Sequence, residues 1–334
     1  MTFDQPLYWK ARDVVANDTE PELKNVVVRL GGFHLLMSFM GAMGTIMDGS
    51  GLMKIFSTIY ATNSVEKIVT GHAYARAVRA HILTHAALAG KILEYVDLNE
   101  KELRALDQVL NFTDRSIILR GADDPDFHAV TERFSKMLTT IENRGPTAAL
   151  WIQYFRMCTL LKNFIKAKRM GNWKLHLYSV KEMIPYFHAA GHLHYAKSAH
   201  LYYQDMVTLQ DRMDPQEYMR FNTDGYFTIR RSENFWSGIW SDMSIEQVLM
   251  RAMKSYGGLT RGRGVSDSVL ARWTLGMLCL QSIFEQIELF ADVRSETSEQ
   301  HVDMRPTRVV RDNMDIGKLH AWFTEHPHSF TSRR

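Results

Sequence analysis

Apolar residues recur at three- and four-residue spacing along most of this 334-residue chain, the pattern of helices that bury one face. The runs that carry it are residues 65–96, 101–111, 129–142, 148–169, 180–209, 245–254 and 269–291. Eight prolines leave them nearly unbroken. The opening of the chain differs. Residues 7–16, LYWKARDVVA, have helical spacing and stop at Asn17-Asp18, whereas residues 25–30, NVVVRL, are a β-branched run closed by Gly31-Gly32. The first predicts a helix and the second a strand ending in a turn. Residues 31–47, GGFHLLMSFMGAMGTIM, are seventeen residues without a formal charge. They fall short of the ~20 residues a bilayer requires and contain His34, Ser38 and Thr45, so they predict a buried core helix. The order is strand end, helix, strand, helix. Residues 226–231, YFTIRR, are the other strand candidate, and turn signals fall at 121–126, 143–146, 171–172 and 214–215. The residues after 295 are polar and predict a loose tail.

Composition narrows the class only a little. Hydrophobic residues make up 46 % of the chain and charged ones 23 %, a globular balance that excludes wholesale disorder. Forty basic against 37 acidic residues leave a net charge of +3, too small to identify a partner without clustering. Cys158 and Cys279 each stand alone, which excludes a disulfide framework and a CxxC metal knuckle. The first residues, MTFDQPLYWKARD, lack a basic region followed by an apolar one and do not read as a signal peptide. The expected address is intracellular, the nucleus included, without secretion and without a membrane partner.

Three kinds of chemistry are encoded as candidates. His188 and His192 lie four apart, as do His81 and His85, and each pair can face one metal from a helix. Ala189, Ala190 and Gly191 supply no base between the first pair, so packed imidazoles are expected. Residues 257–264, GGLTRGRG, are glycine-rich but lack the GK[ST] ending of a phosphate loop. With Arg230 and Arg231, the arginines Arg261 and Arg263 make either a solvated connection or an anion-facing loop that tracks a phosphate backbone. No GxSxG elbow is present. Among carboxylates, Asp4 stands where a strand would end and a helix begin. Asp242 and Glu246 lie four apart at a helix start, where Asp242 suits an N-cap and Glu246 gains from the helix dipole. An acid at a strand end with an acid on a later helix is also a pattern that clamps divalent magnesium for phosphodiester cleavage.

Four segments, TFDQPLYWKA, VRLGGFHLLMSFMGAMG, RMGNWKLHL with MIPYFHAAGHLHYAKSAHLY, and FWSGIWSDMSIEQVLMRAMK, resemble large open reading frames of transposon origin that recur in invertebrate genomes. More distantly they are similar to a fungal family of unknown function with a "DQ", an "FH" and a helix-borne "D...E" in the same order. The resemblance covers most of the chain from Thr2 to about Arg272. It implies an RNase H-like core of the DDE-transposase type, with an acid at the end of the fourth strand, a helix, a fifth strand, a long helical insertion, and a helix with the final glutamate. That places Asp4 as the second acid and Glu246 as the third, both on magnesium, with Asp242 as an additional candidate ligand. The strands that hold the first aspartate in such cores would lie before Met1.

The expected fold class is therefore mainly α, with a remnant RNase H-like core over 1–60, a helical insertion over 61–225, a return of strand and helices to the core over 226–295, and a polar tail over 296–334. The expected function is that of a DDE-type relative, inactive without the first aspartate, retaining affinity for DNA through Arg230, Arg231, Arg261 and Arg263, and self-associating through open strand edges. The alternative is a non-enzymatic helical interaction protein whose aromatic surface includes Trp236 and Trp240.

Overall fold

The computed structural model describes residues 1–17, 23, 25–110, 124–230, 236–246 and 306–327, with isolated positions between 268 and 291. It is mainly helical, as the periodicity predicts, and the described strands form two two-stranded sheets. Strand β1 (Thr2–Phe3) leads into α1 (Gln5–Asn17) and returns to β2 (Arg29–Leu30). The two strands are parallel, with Thr2 opposite Arg29 and Phe3 opposite Leu30. Parallel neighbours cannot be joined by a hairpin, and here α1 lies in the connection between them. Only the last two residues of the predicted strand 25–30 pair, because β1 offers a ladder of two residues and no more.

Helix α2 (Gly32–Ile46) follows at once. Leu35, Leu36, Phe39, Met40, Ala42 and Met43 are buried on all its sides, which makes it the core helix the uncharged run predicts. Among the described residues no helix is long and apolar enough to cross a membrane. Helices α3 (Leu52–Ser57), α4 (Thr62–Val69), α5 (Tyr74–Leu93), α6 (Glu100–Leu110), α7 (Pro125–Glu142) and the long α8 (Pro146–Met170) follow, and of these α4, α5 and α8 pack against α2. Next come α9 (Trp173–Ala189), α10 (Leu193–Val207) and α11 (Pro215–Asn222). Strands β3 (Ile229–Arg230) and β4 (Gly238–Ile239) pair antiparallel, and α12 (Ser241–Ser244) follows β4.

Two of the predicted helical runs are divided. Residues 65–96 break at Gly71, whose φ of 78° is left-handed and whose missing side chain leaves room for the carbonyl of Met37. Residues 180–209 break at Gly191, with φ 74°. The predicted loose tail is the larger correction. Residues Pro306–Glu325 form helix α13, which lies along α5 and buries Leu319 and Phe323, four apart on one face. Arg79 of α5 pairs with both Asp312 and Asp315 of α13, and Glu94 accepts from His320. One apolar cluster runs from Tyr8 in α1 to Phe323 in α13.

Candidate functional site

The carboxyl ends of β1 and β2 lie side by side, and at that edge both α1 and α2 begin. This is where parallel α/β units place their ligands, because helix N-termini and the last strand residues converge there. Asp4 follows β1 directly, and its Oδ1 accepts from the Leu7 amide at 3.2 Å, an N-cap for α1. Helix α2 has no such cap of its own, since Gly31 stands at its N-cap. Asp242 supplies one from 208 residues away. Its Oδ1 accepts from the Phe33 amide at 3.2 Å and its Oδ2 from the His34 amide at 3.1 Å. The expectation that Asp242 caps its own helix is thus corrected, for α12 starts at Trp240 without a side-chain cap and the carboxylate reaches across to α2 instead.

Glycines at 31 and 32 make this approach possible. A Cβ on Gly31 would run into the Asp242 carboxylate and the Phe3 carbonyl, and one on Gly32 would enter the Trp240 ring. That ring is 4 % exposed and stacks on Phe164 at 4.7 Å, so Trp240 belongs to the core and not to the aromatic surface expected of it.

His34 stands at the centre of the corner. Its Nδ1 meets Asp242 Oδ2 at 3.1 Å, and its Nε2 faces Glu246 Oε1 at 3.9 Å. The hydrogen bond to Asp242 holds the imidazole pKa above its ordinary value against a smaller loss from burial, and the charges of Asp242, Glu246 and Asp4 add to the rise. Three carboxylates from two distant parts of the chain thus act on one imidazole. Tyr195 of α10 borders the same corner: burial first, then Asp4 and Asp242, push its hydroxyl up to about 12. Beside it Gln5 donates to Ser198 Oγ at 3.2 Å, and Ser38 lies 2.9 Å from His192 Nδ1.

Of the residues singled out in the sequence, Asp4, Asp242 and Glu246 are brought around His34. Arg230 is exposed on β3 and donates to the Asp224 carbonyl at 3.3 Å, outside that set. Arg231, Arg261 and Arg263 lie outside the described residues, as does the helical run beyond Glu246. Of the histidine pair on α5, His81 Nδ1 meets the Tyr154 hydroxyl at 2.9 Å and His85 Nε2 the Thr159 hydroxyl at 3.0 Å, both on α8. In the sequence His34 reads only as a polar residue in an apolar run. The available signal was its place in the "FH" that accompanies "DQ" and "D...E".

Asp242 itself is poorly placed to take up magnesium. Magnesium demands free oxygens in near-octahedral array, and two-ion sites hold their metals about 4 Å apart. Asp242 has three of its lone-pair positions taken by α2 and His34, and an imidazole stands between it and Glu246. Among the described residues no group of three or more His, Cys, Asp or Glu side chains is arranged to hold a metal ion. What the corner can do is hold a proton on His34 and tie α1, α2 and α12 into one electrostatic unit.

A family model described as "Domain of unknown function (DUF8702)" matches residues 1–334. No curated protein and no solved structure gives a significant match.

Proposed function

The chain belongs to this family of unknown function, and from that premise we propose that it is a nucleic-acid-directed relative of RNase H-like DDE enzymes that binds DNA without cleaving it. The observation that supports this reading is the convergence at one corner of the "DQ", "FH" and "D...E" segments, at the carboxyl end of a parallel strand–helix–strand unit. Such a unit with an acid after its first strand is the part of the RNase H-like core that the resemblance implies. On this reading Asp4 and Glu246 correspond to two of the three acids, while Asp242 serves as the cap of α2. Affinity for phosphate then falls to basic residues: Arg230, which lies outside this acidic corner, together with Arg231, Arg261 and Arg263. Both strands of the β1–β2 ladder are edges of a two-stranded sheet, which supports pairing between two copies.

The test is fluorescence anisotropy of a labelled duplex across a salt series. Binding at low salt should weaken as salt rises, and replacing Arg261 and Arg263 with alanine should flatten the slope by roughly one to two released ions. No plasmid nicking is expected with magnesium. Nicking that disappears in Glu246→Ala would establish an active nuclease instead, and absence of DNA binding at low salt would leave the helical interaction protein as the better reading.

A further inference from the structure

Helices α7 and α9 both pack on α8, and a groove of about 490 Å³ opens between them over the first turns of α8. Its floor is one face of α8, where Pro146, Ala149, Leu150 and Gln153 recur at helical spacing. Glu142, the last residue of α7, and Tyr186 of α9 form its sides, and Arg156 continues the α8 stripe by one more turn. The volume is that of a small-ligand site, too small for a duplex or a folded partner.

Charge is balanced in this groove. The two terminal nitrogens of Arg156 donate to the two Glu142 oxygens at 2.6 and 2.7 Å, a two-point grip that fixes the guanidinium plane. The pair therefore attracts neither an anion nor a cation strongly and presents a flat, rigid surface instead. The Arg156 side chain is 48 % exposed, so that surface is open to solvent. Tyr186 meets Phe39 of the core edge-on at 6.0 Å, and its hydroxyl lies within the field of Arg156. The remaining polar groups are unused. Among the described residues neither the Gln153 amide nor the Tyr186 hydroxyl has a hydrogen-bond partner, and each can both donate and accept. Pro146, Ala149 and Leu150 supply the apolar floor.

We infer that this groove binds a single unpaired nucleobase. An uncharged heterocycle loses little by leaving water for a charge-balanced site, whereas a phosphate or an ammonium group would forfeit hydration with no net charge to meet it. The faces of a base suit a tyrosine ring and a guanidinium plane, the surfaces on which splayed-out bases stack. Its edge carries donors and acceptors side by side, and the amide and the hydroxyl can each answer in either sense. An aliphatic ligand would use the floor and leave both polar groups without a partner. A base within a duplex does not fit, since its edge is paired and its faces are stacked. Delivery of the base by a DNA strand rests on the DNA-binding reading above; recognition of the base by the groove does not.

The test is saturation-transfer NMR of the full chain with adenosine and thymidine, paired with anisotropy of a labelled single strand and of an abasic strand of equal length. Base protons should receive saturation more strongly than sugar protons. Gln153→Leu, which keeps the side-chain size and removes the amide, and Tyr186→Leu, which removes the ring, should both weaken that transfer. Tyr186→Leu should also lower single-strand affinity roughly fivefold or more, the share of one stacked base. A strand that binds better than its abasic counterpart assigns the groove to nucleic acid, and equal binding of the two assigns it to free nucleosides. Loss of all strand binding with nucleoside transfer intact would defeat the DNA-binding reading and keep the groove. No transfer to base protons, or transfer unchanged in Gln153→Leu, would overturn the inference, whether or not the tyrosine variant folds.

Discussion

A methyl group at position 32 would occupy the space that the Trp240 ring fills, and the ring, stacked on Phe164, has nowhere to go. Gly32→Ala should therefore destabilise the chain by about 1–3 kcal/mol, the usual cost of overpacking, as a lower urea midpoint will show. His34 carries a pH dependence of definite sign. Its folded pKa lies above the roughly 6.5 of an unfolded histidine. The stability it contributes is complete below that value and is lost as pH rises through the folded pKa. Urea midpoints measured upward from about pH 6 should fall through this range in the natural chain, and His34→Gln should remove that part of the fall. The acids around His34 were legible as residues, because a strand end and a helix start each favour a carboxylate. The imidazole was not, since its partners come from 208 residues away and no local spacing encodes them.

Among the elements, α13 depends on two side chains. Leu319 and Phe323 are fully buried and four apart, and Phe323 meets the Trp151 ring edge-on at 5.1 Å. Phe323→Ala should cost about 3–5 kcal/mol, and hydrogen exchange should show α13 and the facing side of α5 losing protection together. This helix was hidden in the sequence by its own surface: Val309, Val310 and Met314 are exposed and lie among Arg308, Arg311, Asp312 and Lys318, so its apolar positions do not form one clean stripe. Helix α2 was read correctly for the opposite reason, being apolar on every side. The breaks between α4 and α5 and between α9 and α10 are hidden in the sequence for another reason. Hydrophobic spacing continues across Gly71 and Gly191, and what stops each helix is a left-handed backbone angle, which spacing does not report. The N-cap at Asp4 should be worth about 1 kcal/mol, so Asp4→Ala should lower the urea midpoint modestly and leave the folded architecture in place.

At the scale of the whole molecule, buried neutral imidazoles set its tolerance of acid. Burial lowers the His81 and His85 pKa values to about 3. Above about pH 6.5 neither residue binds a proton in the folded or unfolded state, and stability is unaffected. As pH falls below that, the unfolded chain takes up protons that the folded chain refuses, so each histidine removes about 1.4 kcal/mol per pH unit until the folded pKa is reached. Acid titration followed by circular dichroism should show unfolding well above pH 3, and His85→Gln should move the midpoint to lower pH.

The Asp242 cap on α2 also orders events in time. During synthesis α2, the most apolar of the described helices, emerges with its first amides unsatisfied, and the carboxylate that will satisfy two of them is made 208 residues later. A closure of that length costs little extra in equilibrium free energy, because loop entropy grows only with the logarithm of length. It does slow assembly, since contacts distant in sequence form last. The corner therefore reports on assembly: His34 acquires its raised pKa only in chains in which the segment around Asp242 has already reached α2.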